Sequence, residues 1–124
     1  MYIEKSQLLS SMKKATIEML LLKLLSEEDM YGYQLTQTVK KRSSGTYTIL
    51  EGSMYPILYR LTEQGFISSY DKKVGTRQVR VYYHLEPCGK EYLNHLISDY
   101  YEFSNIISFL LTSNCNSGYF KTTS

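Results

Sequence analysis

Apolar residues recur along the chain with two periods, and the change of period marks out the elements. Ile17, Leu20, Leu21, Leu24 and Leu25 fall at i, i+3, i+4, i+7 and i+8, a wide apolar stripe down one helix. Leu8, Leu9 and Met12 extend or precede it as helix, and Ser26-Glu27-Glu28-Asp29 ends it. A second helix is predicted from about Tyr31 to Arg42, with Leu35 and Val39 facing the core and Gly32 permitting close packing near its start. Its last turn carries Lys40, Lys41 and Arg42, where cations complement the helix dipole. Ser43-Ser44-Gly45 is a break, and Tyr47-Thr48-Ile49 is β-prone but only long enough for a stub of strand.

A third helix is predicted to start between Glu51 and Ser53. Pro56 lies in its first turn, where proline is tolerated. Met54, Ile57, Leu58 and Leu61 form its core stripe, Gly65 ends it, and Ser53, Tyr55, Tyr59, Arg60 and Glu63 occupy the opposite face. The period then drops to two. Phe66–Tyr70 reads as a strand, residues 71–76 as a turn and Arg77–Leu85 as a second strand. In that strand Val79, Val81, Tyr83 and Leu85 alternate with Gln78, Arg80, Tyr82 and His84, so the pair makes a β-hairpin. Its tip carries Lys72, Lys73 and Arg77. After Pro87 the helical period returns to about Leu111. Leu93, Leu96, Tyr100, Phe103, Ile107 and Leu110 are spaced as an a/d seam, broadened by Ile97, Tyr101 and Leu111. Residues 112–124, rich in Ser, Thr and Asn, read as a frayed tail.

Composition narrows the class. At 124 residues the expectation is one domain (1–86), an appended helix (87–111) and the tail (112–124). A hydrophobic fraction of 43% with 21% charged residues excludes a disordered or collagen-like chain. The longest apolar stretch, Ile17–Leu25, contains Glu18 and Lys23 and falls short of the about 20 apolar residues that a membrane helix needs. No basic segment followed by an apolar one opens the sequence, so no secretory signal is expected. Cys88 and Cys115, without a CxxC pattern, read as free thiols. These features together predict a cytoplasmic protein without a membrane partner. His84 and His95 show no ligand spacing, and there is no Ser/His/Asp arrangement, phosphate loop or apolar carboxylate pair. No catalytic residue, metal or cofactor is expected, and the chain does not read as an enzyme.

The formal net charge of +2 conceals an asymmetry. From Met30 to Tyr82 eight basic residues face three acidic ones, a balance of +5, while the remainder holds six against nine, or −3. The middle of the chain is therefore the candidate surface for an anionic partner. The order helix, helix, short strand, helix, hairpin, long helix is mainly α with a small β-hairpin, and it reads as a winged helix-turn-helix followed by a dimerisation helix. In the DNA-binding form of that architecture the third helix enters the major groove and the hairpin lies on the backbone or minor groove. The basic segment coincides with those two elements.

Three runs carry a more specific resemblance. Tyr31-Gly32-Tyr33-Gln34-Leu35 resembles the YGYEL/I signature of the PadR-like family of transcriptional regulators. Gly52-Ser53-Met54-Tyr55-Pro56-Ile57-Leu58-Tyr59-Arg60-Leu61, followed by Glu63, Gly65, Phe66 and Ile67, resembles that family's recognition helix. The run Gly75 to Leu85 resembles its wing, with one extra residue between the arginine pair and the tyrosine pair, and Val79 where some members carry a further base. The likeness covers about residues 15–111. It implies a homodimeric regulator, a repressor in the first reading, on a pseudo-palindromic double-stranded DNA operator. In several members a phenolic acid or flat aromatic drug lies between protomers, and drug-binding members stack it on tryptophan. This chain has no tryptophan, and Tyr100 stands at the corresponding seam position.

The expected nucleic-acid contacts are Tyr33 and Gln34 at the start of helix two, Ser53, Tyr55, Pro56, Tyr59 and Arg60 on helix three, and Lys72, Lys73, Arg77 and Arg80 on the wing. Arg60 has Glu63 at i+3 as an alternative partner. The expected dimer interface is Leu93, Leu96, Ile97, Tyr100, Phe103, Ile107 and Leu110, with Tyr100 and Phe103 as the effector-binding residues. Two other readings fit the same elements: a winged-helix protein–protein interaction module, and an effector-independent architectural or segregation factor.

Overall fold

The computed structural model describes residues 5–113, with side chains from Met12 onward. The elements run α1 (Lys5–Leu25), β1 (Met30–Tyr31), α2 (Gly32–Arg42), α3 (Glu51–Glu63), β2 (Ile67–Val74), β3 (Gln78–Leu85) and α4 (Pro87–Thr112). Cys115 and the segment read as a tail, from residue 114 on, lie outside the described residues. The chain divides into two units, one ending at Leu93 and one beginning at Asn94. No described helix is long and apolar enough to cross a membrane.

In the first unit the helical stripes converge. Ile17, Leu21, Leu22, Leu24 and Leu25 of α1 are buried, with Leu35 and Val39 of α2 and Met54, Leu58 and Leu61 of α3. The buried side of α1 is not quite the predicted stripe: Leu22 is fully buried and Leu20 only half-buried. The reason is that α1 packs against both α3 and β3, which covers more than one of its sides. An Arg42–Glu27 pair, with nitrogen–oxygen distances of 2.7 and 3.0 Å, ties the end of α2 to the turn after α1.

The helix ends follow from local chemistry. After α3 the backbone of Gly65 turns left-handed (φ 81°), so that Phe66 N–H donates to the Leu61 carbonyl and Gly65 N–H to that of Thr62. This satisfies two carbonyls that the helix end leaves free. Phe66 then receives α4. Its carbonyl accepts from Glu86 N–H at 3.0 Å, and its ring stacks on Tyr92 at 4.2 Å with 6° between planes. Gly89 lies so close to the Phe66 carbonyl that a Cβ there would overlap it.

Three strands form an antiparallel sheet in the order β1-β3-β2. The third strand is not where the sequence suggests. Residues 47–49 form no strand: the Tyr47 hydroxyl bonds with Thr16 and the Lys13 carbonyl on α1, and Ile49 is buried. Met30–Tyr31 pairs with Tyr83 and Tyr82 of β3 instead. Two residues are too few to show a period of two. The hairpin is also longer than read, because β2 continues through Lys72 and Lys73 to Val74 and leaves only a tight turn at Gly75, with φ 72°. Helix two begins one residue later than expected, with Tyr31 as its N-cap.

The second unit holds the rest of α4. Tyr100, Tyr101, Phe103, Ile106, Ile107, Leu110 and Leu111 are exposed there, and Leu96 and Ile97 are half-buried.

Candidate nucleic-acid interface

On α3, Tyr55, Pro56, Tyr59 and Arg60 are exposed and Ser53 is half-buried. These residues differ in freedom. Tyr59 is 68% exposed and has no polar partner among the described residues. The Tyr55 phenol rests on Gly32 at the start of α2, where any Cβ would collide with it. Burial, then the charge of Glu51, raise the Tyr55 pKa, so the group stays a neutral donor. Arg60 is committed within the fold. Its Nη2 donates to Glu18 Oε1 at 2.8 Å, and the Tyr92 hydroxyl donates to the other oxygen of the same carboxylate. Glu63, its i+3 neighbour, is not the partner. The pairing crosses from α3 to α1, a distance of 42 residues that local spacing does not reveal.

The start of α2 is shaped by β1. Tyr31 is extended (φ −93°, ψ 167°) and makes no side-chain cap to the helix. Tyr33 is 56% exposed, whereas Gln34 is half-buried. A recess of about 450 Å³ opens here, lined by Tyr31, Gly32, Tyr33, Tyr55, Gln78, Arg80, Val81 and Tyr83. It brings together three expected residues from three elements: Tyr33 of α2, Tyr55 of α3 and Arg80 of β3. Gln34, Ser53, Pro56, Tyr59, Arg60, Lys72, Lys73 and Arg77 do not line it. Tyr31, Gly32, Gln78, Val81 and Tyr83 do, and were not among the expected contacts. For Tyr31 and Gly32 the motif was visible. The β3 residues come from both faces of the strand, Gln78 and Arg80 from one and Val81 and Tyr83 from the other, so alternation gave no signal for them.

Strand register sorts the wing cations. Lys72 pairs with Arg80 and Lys73 with Val79, so Lys72 and Arg80 share a face and Lys73 points to the other. Arg77 is exposed in the turn. On the Lys72 face the tyrosines form a row. Tyr31 lies 5.4 Å from Tyr82, and Tyr70 stacks on Tyr82 at 5.8 Å. The Arg80 guanidinium sits 4.3 Å from the Tyr31 centroid and Lys72 Nζ 5.0 Å from that of Tyr82. At the end of the row Asp29 accepts from the Tyr70 hydroxyl at 2.7 Å and meets His84 Nδ1 at 2.8 Å. The hydrogen bond to Asp29 raises the His84 pKa against an opposing effect of burial. For Asp29 burial pushes upward, but the bonds from Tyr70 and His84, with the charges of His84 and Lys72, outweigh it and hold the carboxyl below its ordinary value.

The seam residues of α4 fall into three groups, with Leu96 and Ile97 half-buried between the other two. Leu93 is buried in the core of the first unit, at 3% exposure, so it cannot meet a partner as the seam pattern suggested. Tyr100, Phe103, Ile107 and Leu110 are exposed. Among the described residues no group of three or more His, Cys, Asp or Glu is placed to hold a metal ion, and Cys88 is an exposed free thiol.

Helices α1 to α3 with a strand-paired hairpin after α3 define a winged helix-turn-helix protein. The chain belongs to the transcriptional regulator PadR-like family, whose sequence model matches residues 21–95. A PadR family transcriptional regulator from Eggerthella lenta DSM 2243 superposes with a TM-score of 0.79 at 26% identity, over 88% of this chain and 93% of that one. Bacillus subtilis PadR, solved in complex with operator DNA, superposes with a TM-score of 0.61 at 27% identity, over 66% of this chain and 46% of that one. The transcriptional regulator YqjI of Escherichia coli is 32% identical over 63 residues, 51% of this chain and 30% of that protein.

Proposed function

We propose that the protein is a sequence-specific DNA-binding regulator that acts as a homodimeric repressor in the cytoplasm. The observation that carries this reading is the recess shared by Tyr33, Tyr55 and Arg80, inside the segment that concentrates the positive charge. Helix α3 reads base edges in the major groove through Ser53 and Tyr55, with Pro56, Tyr59 and Arg60 alongside, and the wing cations Lys72, Lys73, Arg77 and Arg80 meet the phosphate backbone. Tyr33 and Gln34 contact the backbone from the start of α2. The operator-bound state of the Bacillus subtilis relative supports the same use of this fold. Residues 1–86 form the DNA-binding part, and residues 87–111 the dimerisation helix.

The exposed a/d seam of α4 supports pairing with a second copy, because Tyr100, Phe103, Ile107 and Leu110 repeat over successive turns. Two recognition helices then address half-sites about one helical turn apart. Tyr100 and Phe103 present exposed aromatic faces to a small planar effector that would relieve repression. Stabilisation in a thermal-shift screen of planar aromatics tests that part, and no shift with any compound counts against it.

The DNA reading is tested by fluorescence anisotropy with a random duplex and with a site selected from a random library. Lys72→Ala with Lys73→Ala should weaken both duplexes about equally, while Ser53→Ala or Tyr55→Ala should weaken the selected site most. Unchanged affinity in both sets at low salt would show that α3 and the wing are not the interface. Absence of salt-dependent binding to any duplex would favour a protein–protein module instead.

A further inference from the structure

Two cations stand opposite each other on the hairpin without a carboxylate between them. Lys72 and Arg80 are register partners, so their Cβ atoms leave one face about 4.5–5.5 Å apart. Like charges in that position weaken a strand pair. Among the described residues neither forms an ion pair. Asp29, whose charge Lys72 feels, is already held by Tyr70 and His84. Neither positive charge is thus held in an ion pair among the described residues.

What they touch is aromatic. Arg80 over Tyr31 and Lys72 over Tyr82 both fall within the about 6 Å range of a cation–π contact. The rings are held in turn. Tyr31 and Tyr82 are register partners on β1 and β3, Tyr70 stacks on Tyr82, and Asp29 accepts from the Tyr70 hydroxyl. A cation over a ring keeps its charge and its outward N–H donors. It has, however, given up part of its rotamer freedom before any ligand arrives. Lys73, on the opposite face, makes no ring contact among the described residues.

We propose that Tyr31 and Tyr82 are positioning residues for nucleic-acid binding, holding Arg80 and Lys72 extended and side by side for the phosphodiester backbone. The proposal rests on the DNA-binding reading above and adds to it. Flexible cations lose side-chain entropy when they fix on a phosphate, and the tyrosine row imposes part of that ordering in the free protein. It also divides the wing, because Lys72 and Arg80 are preset and Lys73 is not.

The test measures equilibrium binding of the full chain to a labelled random duplex at low and raised salt. Tyr31→Phe keeps the ring and should bind within about twofold of the parent. Tyr31→Leu should weaken binding about threefold to fivefold, and that loss should vanish in an Arg80→Ala background. Tyr82→Phe and Tyr82→Leu, with and without Lys72→Ala, form a second series that stands if Tyr31→Leu, which also alters the N-cap of α2, does not fold. A loss that persists without the cation, or that the Phe variant shares, overturns the positioning role and leaves the wing contact standing. If Arg80→Ala and Lys72→Ala change neither affinity nor salt slope, the wing contact itself is wrong and the positioning role falls with it.

Discussion

Ser44 is the one described residue other than glycine with a left-handed backbone, at φ 53°. It sits just past α2, where Ser44 N–H donates to the Lys41 carbonyl and Gly45 N–H to that of Lys40. Glycine is the residue this position favours. Ser44→Gly should therefore stabilise the fold by about 0.5 kcal/mol, the strain relieved exceeding the entropy added to the unfolded chain. Thermal melts should show a rise of about 2–4 °C, and a fall would remove the strain argument. Asp29 and His84 give a pH signature at the same scale. The His84 pKa is raised in the folded state, so its contribution is complete below the ordinary histidine value of about 6.5 and is lost as pH rises through the folded value. Asp29 is lowered, so its contribution is lost only as pH falls through its folded value. Half of the His84 side chain is exposed, so the pair is worth well under about 1 kcal/mol. His84→Ala should lower the melting temperature more at pH 5 than at pH 8, and equal losses would show that the pair contributes nothing.

At the scale of elements, the informative junction is that between α3, β2 and α4. Gly65 turns the chain, Phe66 presents its carbonyl and ring, and α4 docks on both through Gly89 and Tyr92. Gly89→Ala pushes a methyl into a backbone carbonyl that cannot rotate aside. It should cost about 1–3 kcal/mol, read as a lower denaturation midpoint. Gly52→Ala, with open space around the position, should cost little and serves as the control. Most of the elements were legible from periodicity: the four helices and the hairpin are where the apolar spacing put them. The short strand was misplaced because its pairing comes from the free edge of β3, which no local pattern records. The extra length of β2 was hidden because Asp71, Lys72 and Lys73 read as turn residues, yet the ladder with β3 takes them up.

For the whole molecule, the question is how many copies act together. The exposed apolar residues of the second unit recur at helical spacing over successive turns of α4, as an interface between identical helices requires. Ile107→Glu places a charge on that seam and should convert a dimer into a monomer in sedimentation velocity. Loss of the dimer should also abolish the concentration dependence of the melting temperature, and weaken binding to a palindromic site far more than to a single half-site. An unchanged sedimentation coefficient would show that α4 is not the dimer seam.

The sequence alone determined the class of architecture, the basic middle of the chain and the apolar seam, because each is a pattern that successive residues write along one element. It also carried the motifs of the PadR-like family. The tertiary structure decided which expected residues share a surface. It committed Arg60 to Glu18, seated Tyr55 on Gly32, buried Leu93 in the first unit, and separated Lys72 from Lys73 by strand register. The first three outcomes depend on partners tens of residues away, and the last on a strand that local composition reads as a turn; spacing along the chain carries no information about which distant backbone will pass close by.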